Sequence, residues 1–257
     1  MHRLGEGTVV WPSSTLLGAL SAETRAHLLH LGTQRAYCSG GILLAEGELS
    51  DHVFLLLRGW LKVTRVGDGD REILMAIRAA GDIVGELAAF DRQSRIATVR
   101  AAAACNVRRI GRRDFLDFLR DHDEASRLVM KAVGEKLRSA TRRRSDVMSH
   151  APDVRVARLL LDLLGQHGQL TSDGIVITPP LTQPDVAALV GASQPTVQRV
   201  LRHLRESGVI ATGYRRILVR DPDQLRLRAG VGAFTAVHLP DAPVAVGVPR
   251  ARPPVGP

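Results

Sequence analysis

Cysteine is nearly absent: the 257 residues hold only Cys38 and Cys105, far apart and without Cys-x-x-Cys spacing. This argues against a metal finger or an iron–sulfur cluster and fits a reducing compartment. No stretch approaches the roughly 18 consecutive apolar residues of a membrane-spanning helix. The start of the chain also lacks a charged segment followed by an apolar stretch and a cleavage site. A soluble, cytoplasmic protein without a membrane partner is expected. The nine histidines are scattered, with no His-Glu-x-x-His and no i, i+4 ligand pair, and no Ser/His/Asp grouping stands out. Neither a metal site nor an enzyme is therefore expected.

The formal charge of +9 is present but uneven. Residues 1–130 carry 17 basic against 16 acidic side chains, residues 131–220 carry 14 against 7, and residues 221–257 carry 4 against 3. A basic block inside a folded region favours a polyanionic partner, nucleic acid first and an anionic surface second, with a merely solvated basic face as the plain alternative.

Pattern divides the chain into five parts. Residues 1–14 read as a flexible leader. From 15 to 122, short helices around Leu16–Gly32, with Ser21 as N-cap, give way to short strands broken by glycines. Val53–Leu57 and Leu61–Val66 are two such strands, and the turn signal Gly67-Asp68-Gly69-Asp70 leads to a third near Glu72–Ile77. Regular spacing of this kind suggests a small antiparallel barrel or roll. Residues 123–149 form one long helix on which Met130, Val133, Leu137, Ala140, Arg144 and Val147 recur at heptad spacing. This seam suits pairing with a second copy of the chain, the alternative being packing on its own roll. Residues 150–225 make a helical reading unit, and 226–257 form an Ala/Val/Pro-rich tail expected to be disordered.

Two constellations carry chemistry. In Gly85–Ala101, Gly85 and Glu86 can open a short helix whose first-turn N–H groups receive an anion, and Arg95 can close on the same anion with its guanidinium fork. Glu86 cannot bind phosphate; it makes sense as an acceptor for a sugar hydroxyl, so the pair suggests a ribose phosphate of low charge. In Leu181–Leu204, Thr182 and Ser193 cap two helices, each with a proline in its first turn, and Gly191 marks the turn between them. Val197, Val200, Leu201 and Leu204 form the second helix's inner stripe. Gln194, Thr196, Gln198, Arg199 and Arg202 face outward, residue types that read base edges and hold phosphates. Ile210–Val219 then reads as a wing with a basic tip; an ordinary two-helix hairpin is the plain alternative.

The run Gly85–Ala101 resembles the phosphate-binding cassette of cyclic nucleotide-binding domains. Cassette, long helix and winged helix-turn-helix, in that order over roughly residues 15–225, resemble the CRP/FNR family of bacterial transcription regulators. The resemblance implies an α+β chain: a cyclic nucleotide-binding antiparallel β-roll or jelly roll, a dimerisation helix and a C-terminal winged helix-turn-helix. It implies a homodimer on a double-stranded DNA operator, cyclic AMP or another cyclic nucleotide as effector, and RNA polymerase as a further partner. Gly85, Glu86 and Arg95 then bind the ligand, Leu87, Ile96 and Ala97 add backbone contacts, and Thr141 meets the base. Thr182, Ser193, Gln194, Thr196, Gln198, Arg199 and Arg202 contact DNA.

Three departures are visible. Ile96 stands where the cyclic-AMP receptor has a serine, and Ala140 where it has the first of two adenine-contacting hydroxyl residues. Gln194 and Pro195 replace its Arg-Glu pair, with Arg199 retained, so a different operator is expected. The clustered cysteines of the family's redox branch are missing. Two other readings stay open: a ligand-independent regulator with a vestigial pocket, and a ligand-binding regulatory subunit that docks a protein partner.

Overall fold

The computed structural model describes residues 11–67, 72–213 and 216–231. The N-terminal part contains α1 (Leu16–Ala19), α2 (Ala22–His30), β1 (Thr33–Tyr37), β2 (Ile42–Leu44), β3 (Val53–Arg58), β4 (Trp60–Val66), β5 (Glu72–Ala79), β6 (Ile83–Val84), α3 (Glu86–Asp91), β7 (Thr98–Ala101) and β8 (Cys105–Ile110). The strands form two four-stranded antiparallel sheets, ordered β1-β8-β3-β6 and β2-β7-β4-β5. Together they are the expected roll. Although β3 and β4 are joined only through Gly59, they are not a hairpin, because they belong to different sheets. Gly59 makes the crossing at φ +98°, and a Cβ there would lie 2.7 Å from that of Cys105. The pairing of Val66 with Glu72 bears out the β4–β5 hairpin, whose turn at 68–71 lies outside the described residues.

Ser21 caps α2 by accepting from the Thr24 N–H. Of the expected leader, residues 11–14 are described, and the Trp11 indole donates to the Leu57 carbonyl at 3.1 Å. Helix α4 (Arg112–Asp121) buries Phe115, Phe118 and Leu119 against the roll and leads into α5 (Asp123–Ser149).

The C-terminal unit follows as α6 (Pro152–His167), β9 (Gly168–Thr171), β10 (Gly174–Ile177), α7 (Gln183–Val190), α8 (Gln194–Glu206), β11 (Ile210–Gly213), β12 (Arg216–Val219) and α9 (Pro222–Arg228). Helix α9 carries this unit past residue 225. Asp221 caps it, Pro222 opens it, and Leu225 and Ala229 are fully buried, with Arg158 donating to the Ala229 carbonyl at 2.9 Å. The expected tail boundary at 226 is thereby corrected: α9 runs to Arg228 against α6, Ala229 and Val231 join the same core, and residues 232–257 lie outside those described.

The two units share a core. Leu74 and Ile77 of β5 pack in one cluster with Leu160, Val186, Leu189 and Val190 of α6 and α7. Lys62 of β4 donates to both Asp185 carboxylate oxygens, at 2.7 and 2.8 Å. Asp185 also accepts from the Thr182 N–H in the capping box of α7, so one carboxylate serves both cap and domain contact. Its pKa is lowered by hydrogen bonds from Lys62 and Thr182 that outweigh burial.

Beside this junction His167 sets its ring edge on Trp60, centroids 5.1 Å apart. Burial, with Arg78 adding repulsion, pushes its pKa down to about 4. The unfolded chain takes up this proton near pH 6.5, whereas the folded chain takes it up only near 4. Stability is therefore expected to fall as pH drops through that window, by up to about 3 kcal/mol from this group. Denaturant titrations of wild type and His167→Gln between pH 7 and 4 check this; parallel losses in the two proteins rule the histidine out.

Candidate functional site

The cassette is built where β6 ends. Gly85 turns the chain at φ +86° and caps α3 with no side-chain oxygen, leaving the first-turn N–H groups without a side-chain acceptor. A Cβ at Gly85 would lie 2.8 Å from Arg95 Nη1 and 3.1 Å from the His52 carbonyl. Only glycine allows the backbone to approach the guanidinium this closely.

Arg95 is 4% exposed. Its Nη1 donates to the Gly85 carbonyl at 2.8 Å, Nη2 to the His52 carbonyl at 2.6 Å and Nε to Ser50 Oγ at 3.0 Å. Burial lowers its pKa, while Glu48, Asp51 and Glu86 favour the charged form. A guanidinium carries five N–H donors, so two remain for another acceptor.

Glu86 is likewise 4% exposed, and it is not free. Its Oε1 accepts from Lys136 Nζ of α5 at 2.8 Å, and the same ammonium donates to the Ile83 carbonyl at 2.7 Å. Burial pushes the Lys136 pKa down, and Glu86 pulls the other way. Sequence reading missed Lys136 because it looks like any cation on a helix's polar side; its partner lies fifty positions away. Leu87 and Ile96 are exposed and Ala97 half-buried. Thr141 spends its hydroxyl on the Leu137 carbonyl at 2.9 Å. Five positions beyond Lys136, it sits about 140° round the helix. The fold thus gathers Gly85, Glu86 and Arg95 with Lys136, and sets Thr141 on another face of α5.

Along the seam of α5, Met130 is 70% exposed, Leu137 67% and Val147 47%, with Ala140 and Arg144 also exposed and Val133 half-buried.

In the reading unit, Thr182 caps α7 and Ser193 caps α8, accepting from the Thr196 N–H. Thr182 Oγ1 donates to Asp185 at 2.7 Å, and Ser193 and Thr196 share a hydroxyl contact of 2.8 Å. Gly191 ends α7 at φ +62°. Val197, Leu201 and Leu204 are buried, whereas Gln194, Gln198, Arg199 and Arg202 stand exposed, with no protein hydrogen-bond partner for their side chains among the described residues. Buried apolar and free polar faces on one helix leave the polar face open to a groove. Strands β11 and β12 form the wing, Gly213 opposite Arg216; Tyr214 and Arg215 of the expected tip lie outside the described residues. Among the described residues there is no group of three metal-ligating side chains and no helix long and apolar enough to cross a membrane.

Comparison with known proteins agrees with this geometry. Residues 34–122 match the family profile of the cyclic nucleotide-binding domain, and residues 154–228 that of the Crp-like helix-turn-helix domain. The chain is 30% identical over 182 residues to the cAMP-activated global transcriptional regulator Vfr of Pseudomonas aeruginosa, covering 69% of this chain and 84% of that one. It is 28% identical over 190 residues to a CRP-like cAMP-activated global transcriptional regulator of Mycobacterium tuberculosis, covering 74% and 85%. Among solved structures, FixK2 from Bradyrhizobium japonicum superposes with TM-score 0.69 at 20% identity, over 79% of this chain and all of that one. A variant of CooA from Carboxydothermus hydrogenoformans gives 0.70 at 21%, over 88% and 98%. With a nucleotide-binding roll, a long helix and a Crp-like reading head in this order, the chain belongs to the CRP/FNR family of transcription regulators.

Proposed function

We propose that the protein is a cytoplasmic, homodimeric, sequence-specific DNA-binding regulator controlled by a cyclic nucleotide, cyclic AMP first, and that it acts on RNA polymerase at its operators. The observation that carries this reading is the ion pair from Glu86 to Lys136, which ties the cassette to the long helix. The two free N–H groups of Arg95 and the first turn of α3 take the cyclic phosphate, with Gly85 giving the close approach. Leu87, Ile96 and Ala97 line the phosphate through their backbone. Glu86 accepts from the ribose hydroxyl, and in doing so shares its carboxylate with Lys136. Ligand binding therefore pulls on α5, and Thr141, on the seam side, meets the base. A coupling of roughly 1–3 kcal/mol between ligand and helix arrangement changes operator affinity about 5- to 150-fold. Gln194, Gln198, Arg199 and Arg202 read the major groove, and Thr182, Ser193 and Thr196 hold the backbone.

Calorimetric titration of wild type with cyclic AMP and cyclic GMP, beside selection of bound sequences from random duplex DNA with and without nucleotide, tests the reading. Saturable binding and a palindrome enriched only with ligand are expected; two-fold half-sites about 34 Å apart suit a dimeric reader. Failure to enrich any palindrome sinks the dimeric reader. One observation favours a second reading: Arg95 already satisfies three protein oxygens, as a residual structural group would. In that case operator binding is indifferent to every nucleotide.

A further inference from the structure

A cleft of about 360 Å³ lies where the three parts of the chain meet, on the far side of Lys136 from the cassette carboxylate. Its walls come from α1 (Leu16), the end of β5 (Arg78), the β5–β6 turn (Asp82), α5 and the end of α6 (His167). Neither Gly85, Glu86 nor Arg95 lines it. On α5 the lining residues include Glu135, Arg138 and Arg142, spaced i, i+3, i+7 along one flank. Heptad geometry turns that flank well away from Met130, Val133, Leu137 and Ala140. A second copy paired through the seam leaves the cleft open.

Its charge is unbalanced. With Lys136 paired to Glu86 and Glu135 to Lys131, the charges left on its walls are Arg78, Arg138 and Arg142 against Asp82, an excess of two positive charges. Lys136 is held by Glu86 and the Ile83 carbonyl. Asp82 is engaged by the Ala79 N–H, and burial raises its pKa. Among the described residues Arg78, Arg138 and Arg142 pair with no carboxylate, and the side-chain hydrogen bond of Arg78 is to the Ile77 carbonyl. Burial lowers the pKa of Lys136, Arg143 and His167, and Arg78 adds a smaller repulsion to each.

We infer that this cleft is a second effector site, for a compact dianion of the phosphomonoester class. A phosphomonoester carries about −1.5 to −2 charges at neutral pH, close to the surplus, whereas a cyclic phosphodiester carries one. Guanidinium forks on Arg78 and Arg142 match its oxygens two at a time, and the Ser139 hydroxyl is at hand on the same wall. The volume suits a phosphorylated metabolite of modest size. Such a ligand joins the roll, the long helix and, through Gln166 and His167, the DNA-reading unit, so it steadies the docked arrangement of the two units. It borders Lys136, which Glu86 of the cassette already holds, so the two sites adjoin without sharing a free donor. The inference does not rest on the cassette's ligand.

The test uses the full chain, with glycerol 3-phosphate as probe. Calorimetry should find one site per chain, weakened at least tenfold by Arg78→Gln and by Arg142→Gln and retained in Arg95→Lys. Arg142 is exposed, so its replacement keeps the test valid if Arg78→Gln folds poorly. In parallel, NMR titration of the His167 ring should show its pKa rising from about 4 when the anion neutralises Arg78. Absence of binding at low-millimolar probe, binding that survives both arginine changes, binding that is lost with Arg95, or an unmoved His167 overturns the inference.

Discussion

Arg95→Ala is expected to lower the melting temperature by about 10 °C and to abolish cyclic nucleotide binding, while Arg95→Lys separates the two effects. The alanine variant leaves the half-buried Gly85 and His52 carbonyls without their donors. A fully buried acceptor left unpaired costs about 1–3 kcal/mol, and two half-buried ones fall in the lower half of that range, so a total near 3 kcal/mol follows once Ser50 turns to another partner. For a chain of this size that is a shift of roughly 10 °C. A lysine keeps the charge and reaches one oxygen, but it has no fork. Losing two charge-assisted hydrogen bonds to the phosphate, at about 1.5–3 kcal/mol each, removes at least about a hundredfold in affinity. Thermal melts beside calorimetry with cyclic AMP read both quantities. If Arg95→Lys loses stability yet leaves operator binding unchanged with and without nucleotide, the arginine is structural and the regulator does not depend on this ligand.

The sequence displayed best what the chain decides locally. Ser21, Thr182 and Ser193 each announce a helix within three residues of the N–H group they satisfy, and all three act as N-caps. The long helix runs over the expected 123–149 because no proline interrupts the chain between His122 and Pro152. The triad Gly85, Glu86 and Arg95 was legible for a related reason: a glycine followed by a helix-opening run and an arginine ten positions from it is a local pattern. What stayed hidden is the pairing of distant charges. Lys136 meets Glu86 across 50 positions and Lys62 meets Asp185 across 123, and neither lysine differs in sequence from a solvated one. The partition of β3 and β4 between sheets was hidden too, because strand pairing depends on β6, β7 and β8 arriving later. Helix α9 was hidden because seven residues, about two turns, are too few to display a helical period.

Leu137→Glu is expected to turn a dimer into a folded monomer and to lower operator affinity by about a thousandfold. In the single chain Leu137 is 67% exposed, and its neighbours along the seam, Met130 and Val147, are 70% and 47% exposed. Because the residue touches little of its own roll, the glutamate leaves the monomer's fold and melting temperature almost unchanged. In a two-fold pair the same position meets its symmetry mate, so the substitution acts twice. Two leucines lose burial worth about 1.5–3 kcal/mol each, before the cost of confining two carboxylates is added. Some 4 kcal/mol is about three powers of ten in the dissociation constant. A monomer reaches one half-site and loses the second reading helix, which carries the loss to DNA. Sedimentation equilibrium, thermal melting and operator titration distinguish the alternatives. A packing role against the chain's own roll predicts a large melting shift with no change in mass. The seam predicts halved mass with the melting of the isolated chain preserved, and a dimer that persists in Leu137→Glu excludes it.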